Sequence, residues 1–196
     1  APPPPPHYDA RTPEYAVFAE ARREKWECVR GMDKSFGFNR MSRPEDFLSR
    51  EALIHSLCDI TSKNGNLLLN VGPRGEDAQI PDPQLERLGW LASFTERNGE
   101  ALYATRPWQR AEGSTADGTP VRFTRKDGTL YAILLGRPTG GSVTLKDVTL
   151  PAGARARLLG SADLASLKKG TDLELKFSGP LPEEPAHAIA LEGAAR

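Results

Sequence analysis

The sequence has no excess of charge of either sign. Its 196 residues contain 26 Lys and Arg against 26 Asp and Glu, so the net charge at pH 7 is zero. Proteins that bind nucleic acid or an anionic membrane through electrostatics present a basic surface, and this balance argues against both kinds of partner. A neutral or weakly charged ligand is therefore the expected binding partner.

Long apolar runs and clustered metal ligands are also missing. No stretch approaches the roughly 20 apolar residues that a membrane span needs, and no charged start followed by an apolar run indicates a signal peptide. We expect a soluble chain whose compartment the sequence leaves open. His7, His55 and His187 are isolated, so neither a metal nor a cofactor is predicted. Cys28 and Cys58 fall in a predicted strand and helix, where buried free thiols are expected.

What the sequence does contain is an unusual apolar segment, NGNLLLNVGP at positions 64–73. Its leucine run predicts a buried parallel strand over 66–71 that turns sharply at its carboxyl end. A helix is predicted before it, over 50–63, with Ser49 as N-cap. A second helix is predicted after it, from Asp82 as N-cap and Pro83 as first residue to a stop at 98–99. This order of elements is typical of an α/β fold.

The rest of the chain divides at Tyr103. Residues 1–6 predict extended polyproline, 12–25 have a composition that allows a helix, and 26–30 read as a short strand. Residues 32–48 are irregular, with a length that indicates a functional loop. After Tyr103 short strands alternate with glycine-containing turns, which predicts a β-sandwich of about 90 residues. The predicted strands are 121–124, 130–135, 143–145, 154–159, 173–177 and 188–191, with a hairpin turn at 126–129.

Four strings resemble one enzyme family in order and spacing. They are TPEY at 12–15, KWEC at 25–28 with SFGFN at 35–39, SKNGNLLLNVGP at 62–73, and NGEALYATRPW at 98–108. Together they resemble the bacterial α-L-fucosidases of glycoside hydrolase family 29. The resemblance implies the C-terminal remnant of a (β/α)8-like barrel over residues 1–103, followed by a small antiparallel β-sandwich over 104–196.

The resemblance also implies a chemistry. The family is retaining, so a carboxylate nucleophile and a carboxylic acid are expected to cleave terminal α-L-fucosides of oligosaccharides or glycoconjugates through a covalent intermediate. Glu14 matches the general acid/base. The aspartate nucleophile of the family has no counterpart in this chain, nor does an arginine that contacts the sugar, so negligible activity is expected from this chain alone.

Each site residue has a second interpretation. Glu14 could be an ordinary glutamate in the first turn of a helix. Phe38 matches the family's contact for the fucose methyl group. Loop aromatics also serve packing, and this interpretation is balanced with sugar contact for Phe36 but is less favoured for Phe38. Trp26 is predicted near the floor of the sugar site or in the core. Glu27 is a second catalytic or sugar-binding candidate, with a structural role inside the barrel favoured.

Two further interpretations of the whole chain remain open at this point. The chain could be a non-catalytic sugar-binding or scaffold module whose sandwich is the working part. Alternatively, the proline run could be a sequencing or gene-model error that replaces the sequence of earlier barrel strands. The sequence does not reveal the linkage preference, the aglycone or the oligomeric state.

Overall fold

The structure is a computed structural model that describes residues 11–138, 140–161, 163–169 and 171–195. The predicted polyproline start and His7 lie outside these ranges. The first half contains β1 (Trp26–Gly31), α1 (Arg50–Ser62), β2 (Gly65–Asn70) and α2 (Asp82–Asn98), with short 3-10 turns at Pro44–Asp46 and Gly99–Ala101. Strand β1 pairs with β2 in parallel, from Trp26 opposite Gly65 to Gly31 opposite Asn70.

Both predicted helices are confirmed, with two boundaries shifted by one residue, since α1 ends at Ser62 and not at 63. Ser49 caps α1, since its side chain accepts a hydrogen bond from the Ala52 N–H. Helix α2 begins one residue earlier than predicted, because Pro81 occupies the N-cap position and Asp82 is already helical. Shifts of this size are normal at helix ends, and the predicted stop at Gly99 is where α2 ends.

The helix allowed by the composition of residues 12–25 is wrong. Residues 11–15 instead run parallel to β1 on the side away from β2, bridging Arg11 to Trp26 and Glu14 to Val29. The backbone oxygen of Arg11 accepts from the Glu27 N–H at 2.8 Å. Pairing with a neighbouring strand has outweighed local helix propensity, which is a weak preference of a few tenths of a kcal/mol per residue.

The second half is one antiparallel sheet of eight strands in the order β3-β4-β5-β10-β7-β8-β9-β6. The strands are β3 (Arg106–Ser114), β4 (Pro120–Lys126), β5 (Thr129–Leu134), β6 (Ser142–Leu145), β7 (Ala156–Leu158), β8 (Asp163–Lys169), β9 (Asp172–Lys176) and β10 (His187–Leu191). The six predicted strands are present, and β3 and β8 were not predicted. The sheet curls until its two edge strands approach each other, through a bridge between Thr115 and Leu145.

The two larger apolar clusters of the described residues lie on the two faces of the curled sheet. The larger fills the inside of the curled sheet, with Trp108, Phe123 and Ile189 among its members. The second lies on the outside of β5 and β10, where Ile54 of α1 and Phe94 of α2 pack against the sheet. The helices are therefore fixed to the sheet by buried side chains. Within the described residues, no helix is long and apolar enough to cross a membrane.

Candidate functional site

The carboxyl ends of three parallel segments meet at one edge of the first half of the chain. Segment 11–15 is bonded to β1 through the Val29 N–H, which donates to the Pro13 oxygen at 3.1 Å. Strand β2 lies on the other side of β1 in the same direction. Because parallel strands end at a common edge, the loops that follow them converge there, which is where α/β folds place their binding sites.

The alternation of side chains assigns residues to the two faces of these strands. Trp26 and Cys28 pack with Ile60 of α1, so they face the helix. Glu27 and Val29, at the intervening positions, therefore face the opposite side, which no helix of the described chain covers. We call this side the open face. Leu68, the partner of Val29 in β2, lies on it with 41% of its surface exposed.

Glu14 and Glu27 share the open face. Glu14 is paired with Val29, and residues paired across parallel strands point to the same side. The two glutamates are one strand apart and two residues apart along the strands, which places their Cα atoms about 8 Å from each other. Glu14 is exposed and Glu27 is half-buried. The structure thus brings the predicted acid/base and the second candidate together on one surface.

Tyr15 holds the backbone next to Glu14 in an uncommon conformation. Its φ angle is 51°, in the left-handed region that residues other than glycine seldom adopt. Three contacts retain it there: its N–H donates to Val29 O at 3.0 Å, its hydroxyl accepts from the Gly31 N–H at 3.1 Å, and its ring meets the edge of Phe36 at 5.1 Å. Strained backbone supported in this way is typical of functional sites. Tyr15 is the last residue of the TPEY motif, but its sequence context predicted no role for it.

The loop over 32–48 is fastened to the tip of β2. The Asn70 amide donates to the oxygens of Phe36 and Val71, which ties the loop to the end of the strand. A Cβ on Gly72 would lie 2.5 Å from the backbone nitrogen of Phe38, so only glycine allows this close approach. Phe38 is half-buried beside the tip of β2.

Two buried polar side chains that the sequence analysis did not identify complete this support. Gln84, near the start of α2, accepts from the Gly72 N–H at 2.8 Å. Asp33 accepts from the Ser35 N–H at 2.9 Å and from the Ser42 hydroxyl at 2.6 Å, which closes the loop on itself. The sequence could have predicted this role of Asp33, because an aspartate side chain often accepts a hydrogen bond from the backbone N–H two residues later in the chain.

Trp26 occupies a different place from the other three predicted residues. It is 1% exposed, its indole N–H donates to the Lys63 oxygen at 2.9 Å, and Phe18 packs on its ring at 4.9 Å. It lies at the amino end of β1 and faces α1, away from the open face. Its position corresponds to the core interpretation, so we do not include it in the proposed site.

The open face carries carboxylates, and the aromatic residue Phe38 lies near the carboxyl end of β2. Such groups can donate and accept protons on a neutral ligand without a metal ion. Among the described residues, no three His, Cys, Asp or Glu side chains are arranged to hold a metal. On the helix side, burial raises the pKa of the Cys28 thiol, and the nearby Arg30 partly opposes this effect.

Comparisons with known proteins agree with this architecture. The family model for α-L-fucosidase matches residues 5–100. The chain is 38% identical over 125 residues to an α-L-fucosidase of Branchiostoma floridae, covering 63% of this chain and 27% of that protein. It is 33% identical over 170 residues to human tissue α-L-fucosidase, covering 86% of this chain and 35% of the relative. The chain therefore spans about a third of the length of the curated relatives it matches.

Solved structures extend the match to both halves of the fold. A crystal structure of Thermotoga maritima α-fucosidase with a mechanism-based inhibitor superposes with a TM-score of 0.83 at 40% sequence identity, covering 95% of this chain and 43% of that one. A second structure of the same enzyme, in complex with fucose, gives a TM-score of 0.80 at the same identity. By its sequence and its fold, this chain belongs to the α-L-fucosidase family of glycoside hydrolases.

Proposed function

We propose that this chain carries one half of the catalytic apparatus of a retaining α-L-fucosidase, with Glu14 as general acid/base. The observation that carries the proposal is the exposure of Glu14 on the open face at the carboxyl edge of the parallel strands. In this role Glu14 protonates the leaving oxygen of a terminal α-L-fucoside, and afterwards removes a proton from the attacking water. Fucosylated oligosaccharides or glycoconjugates are the substrates.

The proposed domain division follows the two halves of the fold. Residues 1–103 form the C-terminal part of a (β/α)8 barrel, and residues 104–196 form the β-sandwich. Parallel sheets are normally covered on both faces, whereas the open face here leaves Leu68 in solvent. A closed barrel needs about eight strands, and β1, β2 and segment 11–15 supply only a part of it. The remaining strands would cover the open face and supply the aspartate nucleophile.

Phe38 is proposed as the wall for the sugar's methyl group. Fucose is a 6-deoxy sugar, so its C6 methyl is apolar and is best placed against an aromatic side chain. Phe38 lies in the loop that contacts Gly72 just after the tip of β2, at the carboxyl edge of the strands, which is also where Glu14 lies. Glu27, on the same face, is the second carboxylate candidate, and we propose that it positions the sugar or its neighbours.

The acid/base role is tested in a longer protein that supplies the missing barrel strands and the aspartate. Glu14→Gln is expected to lower kcat/KM by about 10²–10⁴-fold on fucosides with poor leaving groups. The loss should be much smaller on an activated aryl fucoside, whose departure needs little protonation. Glu27→Gln is the matched control on the same face, and it should not show this dependence on the leaving group.

A second measurement separates the acid/base role from a general structural defect. Azide attacks a glycosyl-enzyme without needing a base, so it should accelerate the Glu14→Ala variant and yield fucosyl azide of retained configuration. Equal activity of Glu14→Gln and the unaltered protein on poor leaving groups would refute the assignment.

The inactivity proposed for this chain alone is tested by direct assay with an aryl α-L-fucoside. Loss of one carboxylate of the pair removes the covalent step, so turnover should be negligible. Turnover near that of a full-length relative would contradict this proposal. Saturable fucose binding without hydrolysis, in both this chain and the longer protein, would favour the non-catalytic module instead.

A further inference from the structure

A cavity of about 490 Å³, separate from the open face, lies where the last turn of α2 meets the curled sheet. Arg97 and Asn98 of α2 form one side, and His187 at the start of β10 forms part of the other. Gln84, which touches the strand tip, precedes Arg97 by 13 residues of α2, which corresponds to about 20 Å along the helix axis. None of the residues of the proposed catalytic site lines this cavity.

His187 gives the cavity an unsatisfied polar atom. The residue is 5% exposed, and its buried Nε2 has no hydrogen-bond partner among the described residues. Buried polar atoms of this kind are rare in folded proteins, and they call for a water or a ligand. Burial lowers the pKa of His187, which Glu184 opposes and Arg137 reinforces, so the imidazole is neutral at pH 7. It therefore offers a hydrogen bond without a charge.

The charged side chains at the cavity form ion pairs with one another. Glu184 accepts from Arg97 at 3.1 Å and is also paired with Arg50. The guanidinium groups are thus engaged with a carboxylate, which weakens their attraction for an anionic ligand. The exposed hydroxyl of Ser161 adds a polar group at the rim.

The cavity walls combine polar and apolar surface. Leu159 and the half-buried ring of Phe177 line the cavity together with proline and leucine side chains. A cavity of this volume at the junction of two structural layers, with convergent polar groups beside apolar side chains, can hold a small molecule. An aromatic ring next to isolated hydrogen-bonding groups suits a ligand that has one apolar face and several hydroxyls.

We infer that this cavity is a binding site for a neutral monosaccharide unit, held by a hydrogen bond to His187 Nε2 and by packing against Phe177. The inference does not depend on the catalytic role of Glu14. It gives the sheet domain a function of its own, namely the retention of a glycan next to the barrel.

The test uses nuclear magnetic resonance of the imidazole nitrogens in the full 196-residue chain, which contains three histidines. D-galactose, N-acetyl-D-glucosamine, L-fucose and D-glucuronate are titrated separately. At least one neutral sugar should shift the His187 signals saturably. His55 is the internal control because its Nε2 already lies 2.9 Å from the Pro185 oxygen, and its signals should remain unmoved. Binding at the strand tips would move neither histidine, so this outcome is distinguishable from the proposed function.

Variants then identify the contacts by calorimetry. His187→Leu and Phe177→Leu should each weaken binding of the sugar by about tenfold or more, whereas His55→Gln should leave it unchanged. Circular dichroism tests whether each variant is folded. If His187→Leu is not folded, Phe177→Leu alone tests the contact. The inference is overturned if no neutral sugar shifts His187 at concentrations up to about 100 mM. It is also overturned if glucuronate binds more tightly than every neutral sugar, or if both leucine variants retain full affinity.

Discussion

The contact between α1 and the curled sheet depends on a compact group of four charged side chains. Asp59 lies 2.9 Å from Lys63 Nζ and 2.5 Å from Arg122 Nε, and Lys63 Nζ lies 2.8 Å from Glu112. The side chains of Asp59, Lys63 and Arg122 are only 15%, 5% and 16% exposed. Because Asp59 is bonded to both cations, its removal should be the most damaging single change in the group.

The expected magnitude follows from burial. Breaking a buried ion pair by removing one partner costs about 3–5 kcal/mol, since the remaining charge is left desolvated without compensation. Glu112 stays near both cations, so Asp59→Ala is expected at the lower end, about 3 kcal/mol. For a chain of this length each kcal/mol lowers Tm by about 2–4 °C, which predicts a decrease of roughly 6–12 °C.

Urea unfolding followed by tryptophan fluorescence and by circular dichroism measures this change. Glu45→Ala is the matched control, because the pair between Arg43 and Glu45 is 71% and 63% exposed and should contribute less than about 0.5 kcal/mol. Combining Asp59→Ala with Arg122→Met should cost less than the sum of the single changes by more than about 1 kcal/mol. A cost below about 1 kcal/mol for Asp59→Ala, or strict additivity in the double variant, would refute the reasoning.

Three further predictions concern the rest of the fold. Burial raises the pKa of Tyr131 to about 12. The pKa of a tyrosine in the unfolded chain is near 10. The stability that this phenol contributes is therefore complete below pH 10 and is lost between pH 10 and 12. Tyr131→Phe should flatten the pH dependence of the unfolding free energy in that window. Gly65→Ala would place a Cβ 2.5 Å from the Trp26 ring and should lower the free energy of unfolding in urea by about 1–3 kcal/mol. Gly89→Ala is the matched control, because a Cβ there meets open space, and it should raise the free energy of unfolding by about 0.5–1 kcal/mol. Burial also raises the pKa of Cys58 to about 12, so a thiol reagent should label it only after unfolding, and rapid labelling of the native chain would contradict its placement.

Local features of the sequence were sufficient to predict most individual elements. The apolar stripe and the Ser49 cap predicted α1, and the leucine run predicted β2. The turn between β4 and β5 was also predicted, and Asp127 and Gly128 both have the positive φ angles, 48° and 82°, that such hairpins need. These signals are reliable because they depend on energies between residues close in sequence.

The sequence missed elements whose partners are far away along the chain. Residues 11–15 have a composition compatible with a helix, yet they pair with β1, because the hydrogen bonds offered by that strand are unknown until the chain folds. Strand β3 was missed for a similar reason. Its sequence, RPWQRAEGS, has few apolar residues to indicate a strand, and its hydrogen-bonded partner β4 becomes known only in the folded structure. Trp26 was predicted near the floor of the sugar site with a core role as the alternative, and its position facing α1 corresponds to the core role.

The sequence by itself determined most of the helices and strands, the family that the motifs resemble, and, through that resemblance, Glu14 as the candidate acid/base. Capping, side-chain periodicity and turn chemistry act over a few residues, so they can be recognised in a string of letters. Only the tertiary structure decided that Glu14 and Glu27 share one face, that Trp26 is buried, and that His187 is enclosed beside Arg97. These arrangements depend on strand pairing and on the packing of α1 and α2 against β5 and β10, which join residues separated by dozens of positions.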